Sequence, residues 1–294
     1  MFLPLALVLL LILLWSIYWF VAAGIARDRL AAERATLAQQ GWHLACTEEG
    51  WAGYPFHFEF SCRSPVLTFA DKAEARSSNL LLVALAYAPS QIAVLLDGPT
   101  TISAPGLVPT KVVHERALAA ITLDRLGRPA VSAEIPAAAV AGLGRADKLM
   151  VHSRPSPAAA GTDVAVIANG LVYEPPGQPV LAVDDGSLLG TVTPDQAFAI
   201  DRFDLRQGDL RTWGSGRLAL DPERRPTGEV SIETNDSKAL LELAAPHLGL
   251  SESKITSLRT MLGLLGNSAK APVIAKDGAL YVGPFQVAQL RPLY

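Results

Sequence analysis

Catalysis and metal binding need several polar side chains delivered to one place, and few spacings in this chain do that. The five histidines, at 43, 57, 114, 152 and 247, form neither an H-E-x-x-H nor an H-x-x-E-H pair, and there is no Cys-x-x-Cys for zinc. His57 sits between Phe56 and Phe58, so a strand there would turn its imidazole to solvent. WGSGR (213–217) sets Ser215 between glycines but lacks the G-x-S-x-G frame of a nucleophile elbow, and a glycine-relieved β-bend at a strand entry accounts for it better. GLGRAD (142–147) lacks the third glycine of a dinucleotide loop, and no P-loop occurs. Asp184-Asp185-Gly186 and the Asp201/Asp204 pair have the groups that acid–base or metal chemistry uses. A hairpin turn accounts for the first and a solvated strand edge for the second. Asn235-Asp236-Ser237 fits a glycosylation acceptor, and a helix cap explains it as well. The expectation is therefore a non-enzyme, with no catalytic residue, no metal and no cofactor.

The clearest element is a membrane helix. No charged side chain precedes Arg27, and Leu3 to Ala23 is an almost unbroken apolar run containing Trp15, Tyr18 and Trp19. A helix crosses about 30 Å of hydrocarbon with roughly 20 apolar residues at about 1.5 Å each, so the run suffices. Clustered rings suit a lipid–water interface. Small residues at Ala22, Ala23 and Gly24 leave a cleaved signal peptide as the rival reading, but the basic start and short apolar core of such a peptide are missing. The helix should continue from Gly24 to Gln40, with Gly41 as its stop. No second stretch reaches spanning length, because Asn79–Ala88 is short and runs into Pro89. A net charge of −3 with scattered Lys and Arg argues against nucleic acid as a partner and against a polybasic headgroup patch.

Both cysteines lie in ACTEEGWAGYPFHFEFSC (45–62). With period two, Trp42, Leu44 and Cys46 share one phase of a first run, and Phe56, Phe58, Phe60 and Cys62 share one phase of a second. Gly50, Gly53 and Pro55 supply a turn, so the runs are expected to pair as a wide hairpin within disulfide range. A Cys46–Cys62 bridge would stabilise by about 3 kcal/mol in the chain-entropy model. The alternative is two buried free thiols. A bridge implies an oxidising compartment, which for an N-terminally anchored protein is the periplasm or another extracytoplasmic space. Arg27, Arg29 and Arg34 pull the other way, because the positive-inside rule alone would keep the body in the cytoplasm. Phe56, Phe58 and Phe60 either line a hydrophobic groove or fill a core.

The remaining chain reads as short strands and turns: 116–136, 162–176 and 271–284 alternate or are β-branched, broken by Gly, Asp and Pro. Asp277-Gly278 predicts a tight hairpin. LDRLGRPAVSAE from Leu123 and LDPERRPTGEVSIE from Leu220 repeat Leu-Asp, three residues, Arg-Pro and a Val-Ser-x-Glu strand, as equivalent hairpins in two related halves would. A helix over 238–245 is capped by Asn235-Asp236 and ended by Pro246, and another from Ser251 carries Ile255, Leu258, Met261, Leu262 and Leu265 on one stripe, stopped by Gly266-Asn267. That stripe suits core packing better than a membrane surface. SRPSPAAAGTD (153–163) marks the internal boundary.

GWAGYPFHFEFSC (50–62), LAYAPSQIAVLLDGPTTI (85–102), GRLALDPERRPTGEVSIE (216–233) and KDGALYVGPFQVAQLRPL (276–293) together resemble a bacterial family known only as domain of unknown function 2125. The likeness covers nearly everything after the anchor, and the Gly-Tyr-Pro-Phe turn with its following cysteine is its most specific part. It implies a single-pass, inner-membrane-anchored protein with an extracytoplasmic body and no assigned activity. The G-x-L-x-L-D … G-x-V-x-I hairpin resembles, more loosely, AsmA-like envelope proteins, whose curved sheets form lipid-conducting grooves; this supports function by analogy only.

The expected architecture is α+β: one transmembrane helix (1–40), then mainly antiparallel, curved β-sheet with a few packed helices, in a first half (41–155) and a second (160–294). The expected role is to bind or convey a hydrophobic ligand such as phospholipid in the envelope. The alternative is a structural protein that docks an envelope partner.

Overall fold

A computed structural model describes every residue except 1–2, 71, 106–107, 158–159, 249–251, 266–267, 284 and 293–294. Helix α1 (Leu3–Gln39) is continuous over 37 residues and is long and apolar enough to cross a membrane. Pro4 falls in its first turn, where a missing N–H breaks no bond. Gly41, at φ 87°, ends it as expected. The chain divides into two compact units, Met1–Ile135 and Pro136–Tyr294.

The first unit holds two antiparallel ladders. One runs β1 (Trp42–Ala45), β4 (Val66–Phe69), β5 (Ala73–Arg76), β8 (Thr100–Ser103) and β9 (Thr110–Val113). The other runs β2 (Glu48–Ala52), β3 (His57–Arg63), β6 (Asn79–Leu85), β7 (Ala88–Asp97), β10 (Ala117–Leu123) and the start of β11 (Pro129–Val140). The Cys46–Cys62 disulfide forms, with Cα atoms 5.3 Å apart and Cys62 fully buried. Its strands are not the expected pair, because β1 bonds β4 while β3 lies between β2 and β6. The bridge thus staples one ladder to the other.

In the second unit β12 (Gly144–Pro155), β13 (Thr162–Tyr173), β14 (Leu181–Val192), β15 (Phe198–Gln207), β16 (Leu210–Leu220), β17 (Pro226–Thr234), β18 (Ala269–Lys276), β19 (Ala279–Val282) and β20 (Phe285–Gln289) pair antiparallel, each with the next. Helices α2 (Ser237–Leu248) and α3 (Glu252–Leu265) interrupt the meander after β17 and pack through Leu241, Ala245, Leu258, Ile255 and Leu262 against Phe285. Asp236 alone caps α2, accepting from the N–H groups of Lys238 and Ala239 at 3.1 and 3.0 Å, while Asn235 bonds Arg211 and Asp209. Pro246 does not end α2, which runs on to Leu248 and forgoes the one helix bond that a residue with an N–H would make there. The side chains of Met261 and Leu265, and the stop at Gly266-Asn267, lie outside the described residues.

The proline-rich 153–163 stretch joins β12 to β13, which pair along their length, and the division between units falls instead at 135/136. Asp277-Gly278 forms the expected two-residue turn, with φ of 53° and 71° and Lys276 opposite Ala279. The repeated turns also match in detail. Asp124 Oδ1 accepts the Arg128 N–H at 2.9 Å and its Oδ2 accepts Arg128 Nε at 2.8 Å; Asp221 does the same for Arg225 at 2.8 and 2.8 Å. The equivalence stops at these hairpins, since the strand orders around them differ.

Glycines shape the second sheet. Large side chains of β15 lean over glycines of both neighbours. A Cβ on Gly214 would meet the Phe203 ring at 2.6 Å and the Ser231 carbonyl at 2.0 Å, whereas one on Gly186 would meet only the end of Leu205 closely, at 3.2 Å. Gly214→Ala should therefore destabilise the protein by about 1–3 kcal/mol in chemical denaturation, and Gly186→Ala far less. Reducing the disulfide, or Cys46→Ser with Cys62→Ser, should lower unfolding stability by about 3 kcal/mol. The backbone N–H of Arg128 holds Asp124 below the ordinary carboxylate range; at Asp221 burial pushes upward, and the bonds from Arg225 outweigh it. A lowered folded pKa contributes stability above the unfolded value of about 4 that is lost as pH falls through the folded one. The Asp124→Asn, Asp221→Asn double variant should therefore show a shallower acid limb than the parent when unfolding is followed by circular dichroism from neutral pH downward.

Candidate functional site

Two surfaces stand out, one in each unit. In the first, α1 docks on the sheet end made by the connections 52–57 and 85–88. Trp15 Nε1 donates to the Pro55 carbonyl at 2.9 Å, Tyr18 Oη to Ala86 at 2.7 Å and Trp19 Nε1 to His57 at 3.1 Å, and Ser16 Oγ lies 2.8 Å from Tyr54 Oη. The Trp19 ring packs 5.7 Å from Phe58 and edge-on to Tyr54 at 5.4 Å. Trp19, Ala23, Phe58 and Ala86 form a buried cluster, backed by Trp15 and Ala22. Farther along, Arg27 lies over the Trp51 ring at 5.4 Å, and Arg34 pairs with Glu49 at 2.9 Å and donates to the Leu44 carbonyl at 2.9 Å.

This fixes the fate of the phenylalanines. Phe58 and Phe60, 7% and 2% exposed, fill the core and line no groove. The shared phase points them inward, and inward is occupied by Trp19 for Phe58 and by Trp51 for Phe60, with ring centroids 5.7 and 5.3 Å apart. Phe56, 64% exposed, sits outside at the turn.

In the second unit the two sheet faces differ in chemistry. Cross-strand registers align Val151, Val166, Leu188, Phe203, Gly214, Ile232 and Ala271 in one row of one face. The adjacent row carries Val164, Gly190, Ile200, Gly216, Val230 and Val273. Most of these large side chains are only half-buried, and Leu205 on the same face is 40% exposed. The face is apolar and incompletely covered.

The opposite face is an ion-pair ladder above an open cleft lined by Ser187, Asp185, Arg202, Asp204, Arg206 and Arg211, among others. Asp204 accepts from Arg211 at 2.6 Å and Arg202 at 2.7 Å; Asp185 pairs with Arg206 and accepts from Asn169 at 2.8 Å. Arg211 before Arg202 holds Asp204 below the usual carboxylate range, as Arg206 before Asn169 does for Asp185. Such carboxylates are poor bases, because their charged forms are already stabilised. Three expectations are corrected here. Asp184-Asp185-Gly186 lies inside β14 and is no turn, since Asp185 pairs with Asn169 and Arg206. Asp201 and Asp204 lie on β15, an interior strand bonded on both sides, with Asp201 at a register shift. Ser215, placed at a strand entry from sequence, lies mid-strand opposite Ser231. Among the described residues no cluster of His, Cys, Asp and Glu could hold a metal ion.

Sequence reasoning missed the anchor contact. Its signal was there, since Trp15, Tyr18 and Trp19 are spaced to fall near one helix face, with Ala22 and Ala23 following a turn later. No curated protein and no solved structure matches this chain. A family model described as an uncharacterized protein conserved in bacteria matches residues 19–291, from Trp19 of the anchor contact to just past the end of β20. The chain therefore belongs to the DUF2125 family.

Proposed function

We propose that this is a single-pass protein of the bacterial inner membrane whose body lies in the periplasm, where the apolar face of the second unit binds or conveys a hydrophobic ligand such as phospholipid, without catalysis. The helix long enough to span a bilayer supports the anchor. The disulfide supports an oxidising compartment. The observation that carries the ligand is the apolar face itself, where most Val, Leu, Ile and Phe side chains of its rows stay half-buried, while the other face carries the ion-pair ladder. An apolar patch left open to water marks a binding surface more often than chance exposure does.

Leu205 and Leu189 make a matched test, being 40% and 43% exposed on opposite faces. Full-length protein purified in mild detergent should carry phospholipid in native mass spectrometry. Leu205→Glu should lower lipid occupancy about tenfold, equivalent to about 1.4 kcal/mol for a carboxylate set against acyl chain, and Leu189→Glu should not. Lipid-free wild-type protein, or equal effects of the two substitutions, would reject ligand binding. Crosslinking from the Leu205 face to one stoichiometric envelope protein in that lipid-free state would replace it with partner docking.

A further inference from the structure

The anchor and the first unit overlap in length. Body contacts to α1 begin at Trp15, so only Leu3–Leu14 runs clear of the sheet, a stretch of about 18 Å at about 1.5 Å per residue. The hydrocarbon core is about 30 Å thick, and helix tilt shortens the reach further. If α1 spans, part of the segment already docked on the sheet must lie at membrane depth. The apolar run agrees, since no charge appears before Arg27.

The sheet end carried down with it is built for that environment. Ala52–Phe56 and the whole of Asn79–Leu96 contain no charged side chain. Tyr54, Phe56 and Tyr87 project from the two connections, 50%, 64% and 70% exposed. Irregular backbone is tolerated at membrane depth only when its polar groups are satisfied by protein. Here the carbonyls of Pro55, His57 and Ala86 accept from Trp15, Trp19 and Tyr18 of α1, and the N–H groups of Phe56, His57 and Ala86 bond to Gly53, Gly53 and Phe56. Tyr54 Oη meets Ser16. Ionisable side chains return along this strand at His57, where the connection ends, and at Glu59, 3.5 Å from it.

We propose that this sheet end is a lipid-immersed wedge: Tyr54, Phe56 and Tyr87 contact acyl chains and glycerol backbone of the leaflet on the body's side, so the first unit sits in the membrane surface and not on a tether above it. The proposal rests on α1 spanning the bilayer. It is independent of any ligand on the second unit.

Both native cysteines are in the disulfide, so a single introduced cysteine can take a spin label. Full-length Phe56→Cys, Tyr87→Cys, Leu10→Cys and Lys111→Cys would be labelled and reconstituted in phosphatidylcholine–phosphatidylglycerol vesicles, and collision with oxygen compared with collision with a nickel chelate. Labels at 56 and 87 should favour oxygen, as the label at Leu10 on the free part of the anchor does, and the label at exposed Lys111 should favour the chelate. Chelate preference at 56 and 87 with oxygen preference at Leu10 would overturn the wedge and leave the anchor standing. Chelate preference at all four positions would overturn both.

Discussion

The contact on which the first unit depends is Trp19 against the sheet end, its ring beside Phe58 and its N–H on the His57 carbonyl at 3.1 Å. The cluster it anchors takes Trp19 and Ala23 from the helix and Phe58 and Ala86 from the sheet, with Trp15 and Ala22 packed around. The helix is therefore a piece of the core, and the unit is incomplete without it. This bears on the signal-peptide reading. A cut at Ala22, Ala23 or Gly24 would remove Trp15 and Trp19 and strip three carbonyls at the sheet end of their donors. Losing those donors and opening the Phe58 and Ala86 side of the cluster to water would destabilise the unit.

The second unit is held differently. Among the described residues its buried sheet positions are mostly small, Ala146, Ala168, Ala197, Ala275 and Ala279 among them, with Ile200 and Val287 the larger side chains buried there. Stability must come from continuous ladders, cross-strand pairs and sequence-adjacent hairpins whose closure entropy is low. The Asp-Arg turn shared by 124–128 and 221–225 serves this, as one aspartate fixes both backbone and guanidinium of the residue four ahead. A sheet so built keeps an apolar face that its own chain covers only in part.

What was legible in the sequence follows from this difference between local and distant forces. Turn chemistry is local, so the Asp277-Gly278 hairpin, the Asp236 cap, the stop at Gly41 and the paired Asp-Arg turns could all be read directly. Period two fixes which face a side chain takes but not which strand lies beside it. That is why Cys46 and Cys62 were rightly joined while their strands were wrongly paired. It is also why Phe58 and Phe60 were placed on one face without revealing that Trp19 and Trp51 already occupied it. Acidic pairs misled for a related reason. Asp185 and Asp204 sit in interior strands because arginines two strand positions or one strand away neutralise them, and a partner brought by register leaves no mark on local composition.

The arginines after the anchor show two demands acting on the same residues. During insertion they count as positive charge beside an apolar helix and favour keeping the following chain inside. After folding, Arg27 covers Trp51, itself packed on Phe60, and Arg34 ties α1 to Glu49 and to the Leu44 carbonyl. These contacts hold the later turns of the helix against β1 and the side chains of β2, beyond the turn that carries Trp19. Removing the charges would loosen the seam that joins helix and sheet, so packing gives these arginines a role that the topology rule does not consider. The two demands act at different times, since the rule acts on an unfolded segment and the seam exists only once the body has formed.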